Sequence, residues 1–345
     1  MLNIVRLAPD DAAGNARWDA FVEDCPDATF FHRAGWQSLM RGIFRHQTHY
    51  LAAEREGTIV GVLPLARVHS RLFGHSLTSL PFAVYGGVAA TDKEAATALE
   101  AEAERLAQQF GVDHLELRHV DARHADWPRQ DLYVTFRKAI LADDEANLQA
   151  IPRKQRAMVR KGIQNGLIAE VGRDVETFFA LYADNVHRHG TPALPKAYFS
   201  ALCAEFGDAV DILIVRTPAG EPVSGVLSFY FRDEVLPYYA GDTAAARDLA
   251  ANDFKYWELM RHACRRGLVV FDYGRSKKGT GSYSFKKNWG FEPRDLHYEY
   301  RLLKRDSVPQ NNPANAKFRV FIALWRRLPI AVANRLGPHI VRNLG

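Results

Sequence analysis

The residues best suited to chemistry in this sequence fall into two basic clusters with a few acids, tyrosines and histidines around them. The first cluster is Asp272-Tyr-Gly-Arg275-Ser276-Lys-Lys-Gly-Thr-Gly-Ser-Tyr-Ser-Phe-Lys286-Lys287, where five bases lie within 13 residues, Arg275 to Lys287, with no acid among them. Gly279 and Gly281 permit a tight turn, and Ser276, Thr280 and Ser282 add hydroxyls. A loop of this kind at a strand's end suits an anion, phosphate above all. It is not a Walker-type loop, because Thr280 rather than Lys follows Gly279. A solvated surface loop would have the same composition. The second cluster is Pro152-Arg153-Lys154-Gln-Arg156-Ala-Met-Val-Arg160-Lys161. With Pro152 at the start of a helix, Arg153, Arg156 and Arg160 share one face and Lys154 and Lys161 a neighbouring row. No acid occurs between Glu145 and Glu170 to offset them. Like charges four residues apart cost an isolated helix about 0.2–0.5 kcal/mol, a cost that a pyrophosphate or an RNA backbone turns into attraction. The plainer reading is a solvated helix facing distant acids.

Two smaller groups accompany these clusters. His187-Arg188-His189-Gly190 closes a helix expected over 174–188, where cations complement the dipole and Gly190 suits the position past the end. The same turn offers an imidazole and a guanidinium to a cleft. Tyr239-Ala-Gly-Asp242 ends a strand. Thirteen histidines are scattered without an HxxxH or HExxH pattern, and Cys25, Cys203 and Cys264 are far apart. Neither a metal centre nor a disulfide scaffold is expected.

The elements that must position these residues occur in one order, twice. A hairpin over 50–69, with Val60-Gly61-Val62-Leu63, is matched by one over 211–231, with Ser224-Gly225-Val226-Leu227. Each is followed by a strand ending in Tyr-x-Gly, at Tyr85-Gly86-Gly87 and Tyr239-Ala240-Gly241. Each then enters a helix. The first spans about 92–110 with a Thr91/Glu94 capping box, and the second about 252–266 with Asn252 or Asp253 as cap. A glycine and a short apolar strand follow, ending Glu116-Leu-Arg118 in one case and Asp272-Tyr-Gly-Arg275 in the other. The repeat predicts two α/β units, residues 1–142 and 167–306, joined by a basic helical linker at 143–166 and followed by a tail at 307–345.

The chain has 345 residues and a formal charge of +5. From Pro313 onward there are six bases and no acid, so the rest of the chain holds 39 bases against 40 acids. In this tail Phe318, Phe321, Ile322 and Trp325 form a helical stripe that Pro329 should end or kink. The stripe either packs on the body or rests on an anionic membrane surface. The first residues have no apolar leader, and the stretch Leu77 to Ala90 is too short and too interrupted to span a bilayer. A cytoplasmic protein is expected, peripheral to the inner membrane if the tail binds lipid, with no DNA partner.

The run Phe271-Asp272-Tyr273-Gly274-Arg275-Ser276, continued by Phe285-Lys286-Lys287-Asn288-Trp289-Gly290-Phe291, resembles the C-terminal signature of FemAB-like acyltransferases. The linker PRKQRAMVRKG and the turn HGTPALP resemble the branch associated with PEP-CTERM/exosortase systems. The resemblance covers roughly residues 15–305. It implies two tandem GNAT-like domains, each a mixed, mostly antiparallel sheet flanked by helices. It also implies transfer of an aminoacyl or acyl group onto an amine of a cell-envelope or exopolysaccharide intermediate, without a cofactor. The pyrophosphate-binding turn of ordinary GNAT enzymes, Arg/Gln-x-x-Gly-x-Gly/Ala, is matched neither after Gly86 nor after Gly241.

Acyl transfer to an amine requires a neutral amine, a donor carbonyl held close, and positive charge or N–H groups at the developing oxyanion. The resemblance gives Lys286 contact with an acceptor phosphate or the oxyanion. Asp272 would accept a proton or orient Arg275. Arg275, Ser276, Tyr239, Asp242, His187 and Arg188 would bind substrate, and Arg153, Lys154, Arg156, Arg160 and Lys161 would hold phosphates. The donor stays open between aminoacyl-tRNA and an acyl thioester on CoA or a carrier protein. A non-catalytic module binding RNA or anionic lipid is the reading from another class.

Overall fold

The computed structural model describes residues 1–70, 74–309 and 316–343, without the side chains of 316–320. It forms two compact units, as the repeat requires, but they do not divide at 142 and 306. The first holds Met1–Tyr133, the segment from Asp295 and the end of the chain from Arg342. The second holds Val134–Arg294 and the C-terminal helices up to Val341.

In the first unit the elements run β1 (Leu2–Arg6), α1 (Ala12–Asp24), α2 (Trp36–Gly42), β2 (Gln47–Thr48), β3 (Leu51–Arg55), β4 (Thr58–Leu63), β5 (Ala66–Ser70), β6 (Gly74–Ser79), β7 (Ala89–Ala90), α3 (Lys93–Phe110), β8 (His114–His119) and β9 (Arg129–Gln130). The hairpin expected over 50–69 is β3–β4, with Leu51 opposite Leu63. Tyr85-Gly86-Gly87 is not in a strand; it lies in the loop before the two-residue β7. Asp92, not a Thr91/Glu94 box, caps α3, its carboxylate accepting from Ala95 N at 2.9 Å. Leu99, Ala103 and Leu106 of α3 are fully buried against Leu51, Leu63 and Leu115, as their spacing requires. Gly111 ends the helix in the left-handed region (φ 58°), where a side chain would be strained.

The second unit continues with β10 (Tyr133–Ala139), α4 (Asp144–Ala150), α5 (Arg153–Gln164), β11 (Ile168–Gly172), α6 (Val175–Arg188), α7 (Lys196–Phe206), β12 (Val210–Arg216), β13 (Pro222–Phe231), β14 (Glu234–Asp242), α8 (Ala251–Arg265), β15 (Val270–Asp272), β16 (Ser276–Lys277), α9 (Gly281–Asn288) and β17 (Pro293–Asp295). The chain then returns to the first unit as β18 (His297–Leu302), which pairs antiparallel with β8. Two helices, α10 (Ala316–Trp325) and α11 (Ile330–Val341), complete it.

The strand orders are β1-β3-β4-β7 and β2-β5-β6-β8-β18-β9 in the first unit, and β11-β12-β13-β14-β15-β10-β16 in the second. Neighbours are mostly antiparallel. Parallel pairs of the described residues, β6 with β8 and β14 with β15, mark the crossover through a long helix in each unit. The stretch read as a linker belongs to the second unit, because α5 packs on α8 with Val159 buried among Phe254 and Trp257. β10 extends the second unit's sheet, and β18 extends the first unit's. Nothing in a strand's own sequence tells it which of two sheets it will join.

The tail's apolar stripe packs on the body. Trp325 is buried and stacks on Phe321 at 5.4 Å, and Arg326 Nη2 donates to His189 O at 3.3 Å. The contact places α10 against the turn that closes α6. Phe318 lies outside the described side chains.

Candidate active site

The sheet of the second unit splits. β14 runs parallel to β15 only over Glu234↔Val270 and Val235↔Phe271, while its pairing with β13 continues to Asp242. Among the described residues, β14 from Leu236 onward does not pair with β15. Past the end of β15, β14 forms one arm and the Asp272–Arg275 turn that follows β15 forms the other; the two are referred to together as the wedge. Backbone N–H and C=O groups along the open edge of a strand are free to bond a ligand's amide or carbonyl.

An ionic group of two buried carboxylates and the exposed Arg137 lies where β14 and β15 part. Arg137 Nη1 donates to Asp272 Oδ2 at 3.2 Å, and Nη2 donates to Glu234 Oε2. Burial pushes the Glu234 carboxyl up to about 7 against the opposing pull of Arg137. Asp272 is fully buried; it also accepts from Gly274 N at 2.7 Å and Thr135 Oγ1 at 3.4 Å. A carboxylate so enclosed shapes the turn.

Lys286 is likewise turned inward, with 8% of its surface exposed. Its Nζ donates to Tyr273 O at 2.7 Å and to Gly274 O and Arg275 O at 3.1 Å each. An ammonium has three N–H groups, and three carbonyls take them. Burial pushes this amine down to about 7, with Asp272 opposing the shift. The expected contact with a phosphate or oxyanion is therefore not made in this conformation; Lys286 pins the turn that forms the wedge's second arm. The aromatic residues of the same motif are core. Trp289 and Phe291 are buried, and Trp289 Nε1 donates to Asp253 Oδ1 at 2.9 Å, which explains why Asp253 is not the cap of α8. Ser276 is buried and bonded to Ser282 Oγ at 2.8 Å, while Arg275 is exposed at the turn.

The first arm gathers the remaining residues. Gly241 crosses α6 so closely that a Cβ there would lie 2.4 Å from Tyr182 N. This approach brings the C-terminal turn of α6 onto Asp242, whose backbone carbonyl accepts from Arg188 Nη2 and from Asn185 Nδ2, the latter at 3.3 Å. The Asp242 carboxylate accepts from Lys255 Nζ at 2.8 Å and from Ser224 Oγ. It keeps 25% of its side chain exposed, whereas Lys255 is fully buried. Tyr239 bonds Tyr198 Oη at 3.0 Å within an aromatic cluster that includes Tyr182, Phe199 and Tyr238. Burial raises both hydroxyls well above the usual tyrosine range, so they act as neutral hydrogen-bonding groups. His187 has a buried Nε2 without a hydrogen-bond partner.

Tyr239, Asp242, His187 and Arg188 are thus brought together, while Lys286, Asp272 and Ser276 build the opposite arm from within. Lys255, Ser224, Arg137 and Glu234 went unread in the sequence. One signal for Lys255 was present: it stands between Ala251 and Leu259 at spacing four, a row that is otherwise fully buried and apolar.

The basic helix presents Arg153, Lys154, Arg160 and Lys161 to solvent. Arg156 folds back onto Gln149, donating to its backbone carbonyl at 3.2 Å, and is withdrawn from that row. The two basic clusters meet, because Gly290 at the end of α9 abuts Pro152 at the start of α5, with Lys138 beside them.

Residues 147–287, which contain the wedge and both of its arms, match the model of the acetyltransferase (GNAT) domain. No curated protein matches the chain in sequence. Among solved structures, FemX is similar at a TM-score of 0.65 and 15% identity, covering 88% of this chain and 98% of that one. L-PGS from Bacillus licheniformis is similar at a TM-score of 0.58 and 14% identity, covering 93% and 98%. A tandem GNAT protein from the clavulanic acid biosynthesis pathway is similar at 0.56 and 15%, covering 89% and 100%. The chain has a tandem GNAT fold and, through its matched domain, is an acyltransferase.

Proposed function

We propose that this acyltransferase moves an aminoacyl or acyl group onto an amine of a phosphate-bearing cell-envelope or exopolysaccharide intermediate, in the FemAB manner and in the PEP-CTERM-associated branch. The wedge between β14 and β15 carries the reading. The donor's acyl carbonyl lies along β14 past its pairing with β15, where backbone N–H groups would face the oxyanion as it forms. The acceptor amine attacks that carbonyl, a tetrahedral centre forms, and the bond to the donor's oxygen or sulfur breaks. Asp242 takes the amine's proton and passes it to the departing oxygen or sulfur, being the carboxylate of the wedge that keeps an exposed face, with Lys255 and Ser224 fixing its orientation. Arg188 and His187 bind the acceptor beside it. Arg153, Lys154, Arg160 and Lys161 receive the phosphates. An aminoacyl-tRNA donor suits this row better than a small thioester, since a polynucleotide spans all four cations.

Similarity to FemX and to L-PGS supports an envelope acceptor. A place at the inner face of the inner membrane fits the outer side of α10 and α11, where Leu324, Ile330, Val332 and Leu336 are exposed with Arg326, Arg327 and Arg335. No helix among the described residues is long and apolar enough to cross a membrane.

The test is a donor screen, charged tRNA against acyl-CoA and acyl-carrier thioesters, with mass detection of acylated envelope precursors. Product with charged tRNA is expected. Product with a thioester alone moves the assignment to an acyl-CoA- or carrier-dependent N-acyltransferase. Salt-dependent binding of RNA or anionic vesicles, without turnover of any donor, would leave only a binding module.

A further inference from the structure

The first unit holds a cluster that the proposed transfer does not use. Glu100 on α3, His119 at the end of β8 and His124 in the loop that follows place one ligand atom each within 4.8 Å of one another. His124 Nε2 stands 3.4 Å from Glu100 Oε1. Two ligands on one Zn2+ ion, with bonds of about 2.0–2.1 Å at the tetrahedral angle, are separated by about 3.3 Å. His119 is 3% exposed, and the Nε2 atoms of both histidines are buried without a hydrogen-bond partner. Two orphaned imidazole nitrogens facing one buried carboxylate are costly in an interior unless something binds them.

We propose that Glu100, His119 and His124 form a site for a divalent transition-metal ion, with Zn2+ the ion that best suits two imidazoles and a carboxylate. Glu299 on β18 completes the surroundings. Its carboxylate is fully buried, its Oε2 lies 3.8 Å from His119 Nε2, and it accepts from the backbone N–H of Arg123 and His124 at 2.9 and 3.1 Å. It holds the histidine loop in place and adds a second carboxylate at the site. Trp127 stacks on His124 at 4.1 Å and fixes that ring's plane. Arg123 is the competing charge: its Nε donates to Glu100 Oε1 at 2.6 Å. Its side chain is 30% exposed and can turn to solvent when an ion takes its place.

The ion would clip α3, β8 and the loop after β8 together, a structural role that does not depend on the transfer reaction. No motif announced the site, because His119 and His124 are five residues apart and Glu100 comes from the preceding helix. The experiment uses untagged, full-length protein stripped with a chelator and titrated with Zn2+ against a chromophoric competitor, with Co2+ as a spectroscopic probe. One equivalent of Zn2+ should bind, Co2+ should give visible bands of a four-coordinate nitrogen–oxygen site, and Zn2+ should raise the melting temperature. His124→Gln and Glu100→Gln, each with an unchanged circular-dichroism spectrum, should weaken binding about 100-fold or more. Arg123→Gln should tighten it. Binding no tighter in the wild type than in His124→Gln and Glu100→Gln, or no stoichiometric uptake at all, overturns the assignment.

Discussion

Replacing Lys286 by Met separates a residue that touches the reacting atoms from one that holds the wall of the site. The substitution keeps an unbranched apolar stem, one atom shorter, beside the rings of Phe136 and Tyr273, both within 6 Å of Nζ. It deletes three hydrogen bonds from an ammonium to the carbonyls of Tyr273, Gly274 and Arg275. A hydrogen bond to a charged group contributes about 1.5–3 kcal/mol. Three at full strength would contribute about 4–9 kcal/mol. Two effects reduce the net: the variant no longer buries a charge, and water reaches Arg275 O at the exposed turn. The expected loss is about 2–4 kcal/mol, read as a lower denaturation midpoint with an unchanged m-value. The second arm of the wedge loosens with it, so KM rises along with any fall in kcat, and Lys286→Arg recovers little because the planar guanidinium does not fit three converging carbonyls. The opposite pattern would refute the argument. If Lys286→Met leaves stability within 0.5 kcal/mol (roughly the level of an inert substitution) but lowers kcat about 10²–10³-fold, the amine bonds the oxyanion and the turn does not need it.

Asp242→Asn keeps the size of the side chain and should lower kcat about 10²–10⁴-fold as a proton acceptor is lost; a far-ultraviolet spectrum checks the fold, and unchanged kcat removes Asp242 from the reaction. Gly241→Ala puts a methyl 2.4 Å from Tyr182 N, on helix backbone that cannot move aside. A loss of about 1–3 kcal/mol is expected from chemical denaturation, with activity falling as Asp242 is displaced. The folded-state pKa of Glu234 is raised from 4.5 to about 7. Its contribution to stability is therefore present in full below pH ~4.5 and is lost as the pH rises through about 7, by roughly 3 kcal/mol. Glu234→Gln should flatten that part of the stability–pH curve, and an unchanged slope would place the titration on another group.

What could be read along the chain was whatever a short stretch decides by itself. The apolar spacing of α3 and α8, the glycine that stops α3, the two basic clusters and the doubled order of elements all arise from contacts within a few turns or one hairpin. The matched aromatic and basic residues of the 271–291 run were visible in the same way, but not the direction they face. Lys286 looked like a free cation, yet the helix α9 turns it onto carbonyls 11 to 13 residues away. The pairing of Lys255 with Asp242, the Arg137 clasp on Asp272 across 135 positions, and the meeting of Glu100, His119 and His124 belong to the tertiary structure. So does the return of β18 to the first unit, in register with β8. Each depends on which strands pair and at what offset, and that is fixed by burying both cores at once rather than by any local preference. Side-chain type settled which chemistry was available; sheet pairing settled which groups could reach one another to perform it.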